Sequence, residues 1–251
     1  MGRWDITAAK PMKKLFIFVA ALAVSSIVYA KDDKLVLEQG ALDFWSETGK
    51  FAIIEIDWSK TQVVEWDGKK VQKEFGTIDQ YNRMKGEDYV NDWPKVQEGI
   101  KVGAPIEANK VNKKKGLKII TPLDPATQEA FNQMTDQQKA EWKKAQAKAE
   151  KNGVIYKEAS EATYEIKLIV DSIDMGNAAA SFFTPDPHNG GAIIVGNMSV
   201  YNRETKELVA SIKINHLKGW GQASETARMQ FIFYVLWKEA FPKFVKEQAK
   251  K

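Results

Sequence analysis

From Met229 to Trp237 the chain reads Met-Gln-Phe-Ile-Phe-Tyr-Val-Leu-Trp, and Gln230 alone interrupts the apolar and aromatic side chains. A surface helix needs only one apolar stripe, whereas a helix that is apolar almost all round has to be enclosed. The run is far too short to span a bilayer, which takes roughly 20 residues. Ser224 supplies an N-cap hydroxyl and Glu225 a carboxylate for the first turn. A buried helix is therefore predicted from there, with Pro242 expected to kink or restart it. Whatever else the chain folds into must provide walls for this helix.

The preceding segment offers them. Thr163–Asp171 alternates, with Tyr164, Ile166, Leu168 and Val170 on one face. Ala192–Tyr201 and Leu208–Asn215 follow, the latter aligning Leu208, Ala210, Ile212 and Ile214. The polar loops between them predict a three-strand antiparallel meander. The helix should lie on it, with Phe231, Val235 or Leu236 buried against Ile212, Val170 or their neighbours.

The first half is less regular. Phe51–Trp58 reads as a strand, with Ala52, Ile54, Ile56 and Trp58 opposite Phe51, Ile53, Glu55 and Asp57. Asp67-Gly68 predicts a two-residue hairpin turn between Val63–Trp66 and Lys69–Val71. Leu35–Leu37 fits a short edge strand or an extended lead-in. Gly86–Trp93 fits a helical segment, after which Pro94 ends the helix or opens another. The lysine-rich stretch from Asn109 to Lys118 reads as a solvated turn, with an anion or membrane-surface patch as the sharper alternative. Asp124-Pro125 begins an amphipathic helical stretch that stops at Asn152-Gly153. Within it, Thr135-Asp-Gln-Gln138 fits a capping box, which would divide the stretch into two helices. Strand, hairpin, helices, three strands and helix add up to an α+β fold. The expected sheet is mixed or mostly antiparallel, with helices on one face.

Residues 1–30 are expected to stand outside that domain. Met12-Lys13-Lys14, the apolar run Leu15–Val28 and the small-residue site ending at Ala30 have the form of a secretory signal peptide. Residues 1–11 would then be an over-extended start; an uncleaved anchor is the alternative. Residues 31–251 are expected to form a single domain in the periplasm or outside the cell. Residues 1–30 carry four of the 37 basic residues and one of the 33 acids, leaving 33 against 32 and a net charge of +1. That balance gives no electrostatic case for nucleic-acid binding. The chain has no cysteine, which excludes disulfides, thiolate metal sites, a cysteine nucleophile and a lipid-bearing cysteine.

Several motifs carry a resemblance. The exported start, the strand ending Ile56-Asp57-Trp58-Ser59, Gly86-Glu-Asp-Tyr89, Ala162-Thr-Tyr-Glu-Ile166 and the final helix containing Arg228 together resemble an uncharacterised family of exported Bacteroidota proteins. A weaker likeness is to small α/β domains of envelope proteins. Examples are penicillin-binding-protein activator lipoproteins and the amino-terminal domain of the Tol-system propeller protein. Those domains serve assembly and partner binding, which is what the likeness implies. The missing lipidated cysteine departs from the lipoprotein members.

Candidate chemistry is sparse. The two histidines, His188 and His216, form no His-Glu-x-x-His pair, and no serine lies in a nucleophile elbow. Asp186, His188 and Asn189 fit an ordinary polar loop better than a cation site. No metal site or cofactor is expected. Glu55 and Asp57, two apart on one strand, with Asp171 and Asp174 at the end of another, form the best candidate carboxylate set for a glycan hydrolase. The competing reading places Glu55 and Asp57 on the solvent face of a half-buried strand. Seven of the eight tryptophans follow Trp4. Trp58, Trp66 and Trp220 are candidates for stacking on a sugar or partner, against an ordinary core role. The leading expectation is a non-enzymatic envelope binding or assembly module, its partner an envelope protein or glycan. The glycan hydrolase is the alternative.

Overall fold

In the computed structural model, residues 34–67, 70–112, 116–122, 129–130, 132–177, 190–222 and 224–250 are described. The strongest alternation lies in the three strands β8 (Tyr164–Asp174), β9 (Ile193–Asn202) and β10 (Leu208–Lys218). They pair antiparallel in sequence order, so the meander expected from the period-2 pattern is present. Strand β1 (Lys34–Gly40) adds antiparallel to the outer edge of β10. Ile166, Leu168, Met198, Val200, Ala210, Ile212 and Ile214 all face the core and are fully buried.

The other side of β8 holds a parallel neighbour made in two pieces. Strand β2 (Phe51–Asp57) runs beside its first half, with Ala52 opposite Tyr164 and Asp57 opposite Ile169. After a short break, β3 (Gln62–Asp67) continues beside its end, with Gln62 opposite Ser172. The hydroxyl of Thr61, in the break, donates to the Val170 carbonyl at 2.6 Å and fixes the joint. β4 (Lys70–Thr77) pairs antiparallel with β3, and β5 (Lys118–Ile119) parallel with β2. The result is an α+β fold on a mixed, mostly antiparallel sheet. The hairpin is offset by one residue from its expected position: Asp67 pairs with Lys70, so the connection is residues 68 and 69. A separate two-stranded ladder joins β6 (Thr121–Pro122) to β7 (Tyr156–Lys157).

Thr77 caps α1 (Ile78–Lys85) with a full capping box to Gln80, a helix the apolar pattern did not announce. Then α2 (Glu87–Val111) runs through Pro94 and Pro105. The expectation that Pro94 ends or restarts a helix fails. Proline removes one amide donor, but Val96, Ile100, Ala104 and Ala108 are buried along one stripe, and packing outweighs local propensity. Part of the lysine-rich stretch is structural too. Asn109 is buried, donating to the carbonyls of Ile119 and Gly153 and accepting the Ile119 amide at 2.8 Å. That corrects its reading as solvated turn; residues 113–115 lie outside the described residues.

The amphipathic helix is α3 (Asp136–Lys151), capped by Thr135 and Gln138 as the capping-box motif anticipates. None of its described side chains is buried, in keeping with a helix at the domain edge; the Asp124-Pro125 start lies outside the described residues. The final helix begins with Ser224 accepting the Ala227 amide as N-cap of α4 (Glu225–Val235). It passes through a π-helical turn at Leu236–Ala240 into α5 (Phe241–Gln248). The π turn comes just before Pro242, and Phe241 and Phe244 are buried in the core. Met229, Ile232, Phe233, Val235, Leu236 and Trp237 are buried, whereas Phe231 is only half-buried. Trp45 stacks on Trp237 and meets Phe241 edge-on, closing the far end.

Candidate functional site

Helices α1, α2, α4 and α5 cover one sheet face; on the other, Glu55, Lys167, Ile169 and Lys213 are exposed. The expected carboxylate pair belongs to this open face. Lys167 reaches both Glu165, at 3.0 Å, and Glu55, at 4.0 Å. Asp57 is exposed and accepts the Ser59 amide at 2.8 Å. Bonds from the Ser59 hydroxyl and amide hold the Asp57 carboxyl below its ordinary range. A glycosidase general acid needs the opposite shift. Asp171 is exposed and accepts from Asn197 at 3.2 Å, toward β9 rather than β2.

Asp174 has a different task. Its two carboxylate oxygens accept the backbone amides of Trp66, at 2.9 Å, and Gly176, at 2.7 Å. It ties β3 to the end of β8. Asp174 is thus engaged with backbone, away from the solvent-facing pair Glu55 and Asp57.

The three tryptophans also separate. Trp66 sits edge-on against the His216 ring, 4.4 Å between centroids. His216 lies at a bulge of β10 with φ 55°. Trp220 stacks on Phe231 at 5.8 Å and meets Tyr234 edge-on. Its neighbour Gly219 makes the strand-to-helix turn pass close to α4; a side chain there would stand 2.8 Å from the Ile232 Cα. Trp58 is wedged between Trp93 and Phe233. Through Trp93, Trp58 touches the cleft described next. The loop carrying Asp186, His188 and Asn189 lies outside the described residues. Among the described residues, no group of three or more His, Asp or Glu is placed to hold a metal ion, and no helix is long and apolar enough to cross a membrane.

A cleft of about 200 Å³ opens where α1, the first turns of α2 and the N-terminus of α4 converge at the end of β8. Tyr81, Tyr89 and Trp93 supply rings, and Asp88, Asp92 and Glu225 supply carboxylates. The spacing explains the arrangement. Asp88 and Asp92 are four apart on one helix face, as are Tyr89 and Trp93 on the next. Met175 and Met229 close the apolar floor.

Glu225 organises the wall. Its Oε2 accepts the Tyr81 hydroxyl at 3.1 Å and its Oε1 accepts the Lys85 ammonium at 3.0 Å. Burial, reinforced by Glu225, pushes the Tyr81 phenol up to about 12, although Lys85 opposes the shift. Burial works against the Lys85 ammonium, but its bonds to Glu225 and Tyr81 prevail and hold it above the usual lysine range. Arg228, buried behind this wall, donates to the carbonyls of Met175 and Gln222. Those bonds tie α4 to the segments flanking the cleft. Desolvation lowers the Arg228 pKa, while Glu225, Tyr81, Tyr89 and Asp174 favour its charge.

Sequence reasoning placed Tyr89 and Trp93 on a helix and Glu225 at a helix start, yet it did not join them. The available signal was the interleaved pair of i, i+4 sets, acids at 88 and 92 and aromatics at 89 and 93.

No family model matches the chain, and no curated protein matches it. Several solved bacterial structures show some similarity. The PelC dodecamer from Paraburkholderia phytofirmans aligns at TM-score 0.34 and 12% identity, covering 82% of this chain and 97% of that one. A DUF330 protein from Xanthomonas campestris aligns at TM-score 0.27 and 9% identity, covering 86% and 95%. A putative neuraminyllactose-binding hemagglutinin homolog from Helicobacter pylori aligns at TM-score 0.29 and 8% identity, covering 84% and 87%. At these scores the alignments carry no functional argument. The likeness to exported Bacteroidota proteins stays a resemblance of motifs.

Proposed function

We propose that the chain is a non-enzymatic binding or assembly module of the bacterial cell envelope, and that the cleft between α1, α2 and α4 receives its ligand. The observation that carries this reading is the convergence of three aromatic rings and three carboxylates in one concave site. Concave, largely apolar sites with a few polar groups are the usual form of ligand pockets. The leader-like segment from Met12 to Ala30 supports export. The hydrolase alternative has no comparable support, because Glu55 and Asp57 are exposed on the open sheet face.

The test is capture from envelope extract with the tagged protein, comparing wild type with Asp88→Arg, a change at an exposed position of the cleft rim. A species retained by wild type and lost with Asp88→Arg is the expected result. Equal recovery with both proteins, or recovery of nothing specific, overturns the reading.

A further inference from the structure

The cleft already contains a demonstration of what it accepts. None of the residues lining it is a lysine or arginine, but Lys85 reaches its wall from the last turn of α1. The Lys85 ammonium lies 3.0 Å from Glu225 Oε1, 5.2 Å from the Tyr81 ring centroid and 5.6 Å from that of Tyr89. Both ring distances fall within the roughly 6 Å range of cation–π attraction. A carboxylate and two phenol faces thus make a cation seat.

Two details favour an ammonium over a guanidinium as the occupant. Glu225 spends Oε2 on the Tyr81 hydroxyl, leaving Oε1 for a cation. A guanidinium draws much of its advantage from bidentate pairing with both carboxylate oxygens, whereas an ammonium is a point charge that one oxygen can serve. The internal occupant is also displaceable. The Lys85 side chain is 39% exposed on a flexible stem at a helix end, so it can leave the more buried Glu225 carboxylate for solvent without repacking the wall. Meanwhile Asp88, exposed on the same rim, has no ion-pair partner among the described residues.

Building on the reading of the cleft as a ligand site, we propose that it binds a lysine side chain of a partner polypeptide, with Lys85 holding that position until the partner displaces it. The partner's ammonium takes Glu225 Oε1 and the Tyr81 and Tyr89 faces. Its methylene stem lies along the apolar floor, and Asp88 draws it in. Lys85 swings into solvent. Because Lys85 competes from within the molecule, the apparent affinity is reduced by the fraction of time it occupies the seat.

The probes are three acetylated, amidated peptides, Gly-Lys-Gly, Gly-Arg-Gly and Gly-norleucine-Gly, titrated into the full chain and followed by NMR shifts of the indole and phenol resonances. Lys85→Met should bind the lysine peptide about tenfold more tightly than wild type, the size expected when a competitor occupies the seat about nine-tenths of the time. The arginine peptide should bind several-fold more weakly, and the norleucine peptide should not bind measurably. Glu225→Gln should abolish lysine-peptide binding. Should that variant unfold, Asp88→Asn replaces it, weakening the lysine peptide several-fold without changing the melting temperature. Equal affinity of wild type and Lys85→Met, or binding of norleucine as well as lysine, overturns the proposal. If no peptide binds while capture still depends on Asp88, the lysine assignment fails and the cleft reading stands. If capture ignores Asp88, both fail.

Discussion

Asp174 accepts two backbone amides at once, from Trp66 and Gly176, and so holds the end of β8 against β3. Hydrogen bonds to a charged group contribute roughly 1.5–3 kcal/mol each when partly buried, and removing the acceptor orphans two amides. Asp174→Ala should therefore lower the unfolding free energy by roughly 2–3 kcal/mol in a urea titration, while Asp171→Ala, exposed on β8, should change it by less than about 0.5 kcal/mol. The two carboxylates looked alike in the sequence, both flanking a strand end. What separates them is a contact to Trp66, over a hundred residues away in the chain, which no local pattern encodes. A second prediction at this scale concerns Tyr164. Burial first, then its 2.8 Å bond to Glu47, pushes its phenol up to about 12. An unfolded tyrosine titrates near 10, so the folded state holds this proton more tightly. The resulting stability is complete below about pH 10 and is lost as the pH rises toward 12. Tyr81 adds a loss of the same sign. Tyr164→Phe should flatten the decline of stability between about pH 10 and 11.5 in urea titrations, relative to wild type.

Elements announced by a local pattern, whether an alternation, a cap or an apolar run, were the legible ones. The meander, the capping box at Thr135 and the buried run after Ser224 all read correctly because each is set by neighbours in the chain. The helix α1 was missed because its eight residues carry two apolar core positions, Ile78 and Tyr81, among polar ones. The long α2 was underestimated because prolines mask a stripe that only tertiary packing reveals. The cleft was illegible for a related reason: it is assembled from α1, α2, α4 and the end of β8. The final helix supplies the test at this level. Leu236 is fully buried in the π-helical turn, and truncation there should cost about 2–5 kcal/mol. Gly219→Ala probes the same packing from the other side. Its new methyl would meet the backbone of Ile232, and backbone yields poorly, so a loss of about 1–3 kcal/mol is expected. Both losses should appear in thermal or urea unfolding. A Gly219→Ala variant as stable as wild type would show that α4 can slide, contrary to the close contact seen here.

At the scale of the molecule, the sheet divides the fold into two unlike sides. Side chains from β1, β2, β3, β8, β9 and β10 form one core with α1, α2, α4 and α5, and the cleft lies on this helical side. The opposite face is a lattice of exposed or half-exposed charges, Glu55, Asp57, Glu165, Lys167 and Lys213. Such exposed pairs contribute about 0–1 kcal/mol. The two sides can therefore be separated by mutation. Glu55→Gln combined with Asp57→Asn should leave unfolding free energy within about 1 kcal/mol of wild type, and should leave envelope capture unchanged. Asp88→Arg should abolish capture while lowering stability by no more than about 1–2 kcal/mol, the cost of a reversed charge in the first turn of α2. The pairing matters because each variant controls for the other: a loss of capture with the open-face variant would move the binding surface to the uncovered side of the sheet. A glycan turnover that disappears with Glu55→Gln and Asp57→Asn would revive the hydrolase reading, since among the described residues those carboxylates pair with Lys167 and Ser59. Retention of every measured property by that variant, beside the binding defect of Asp88→Arg, is the result expected if function resides where the helices meet the end of β8.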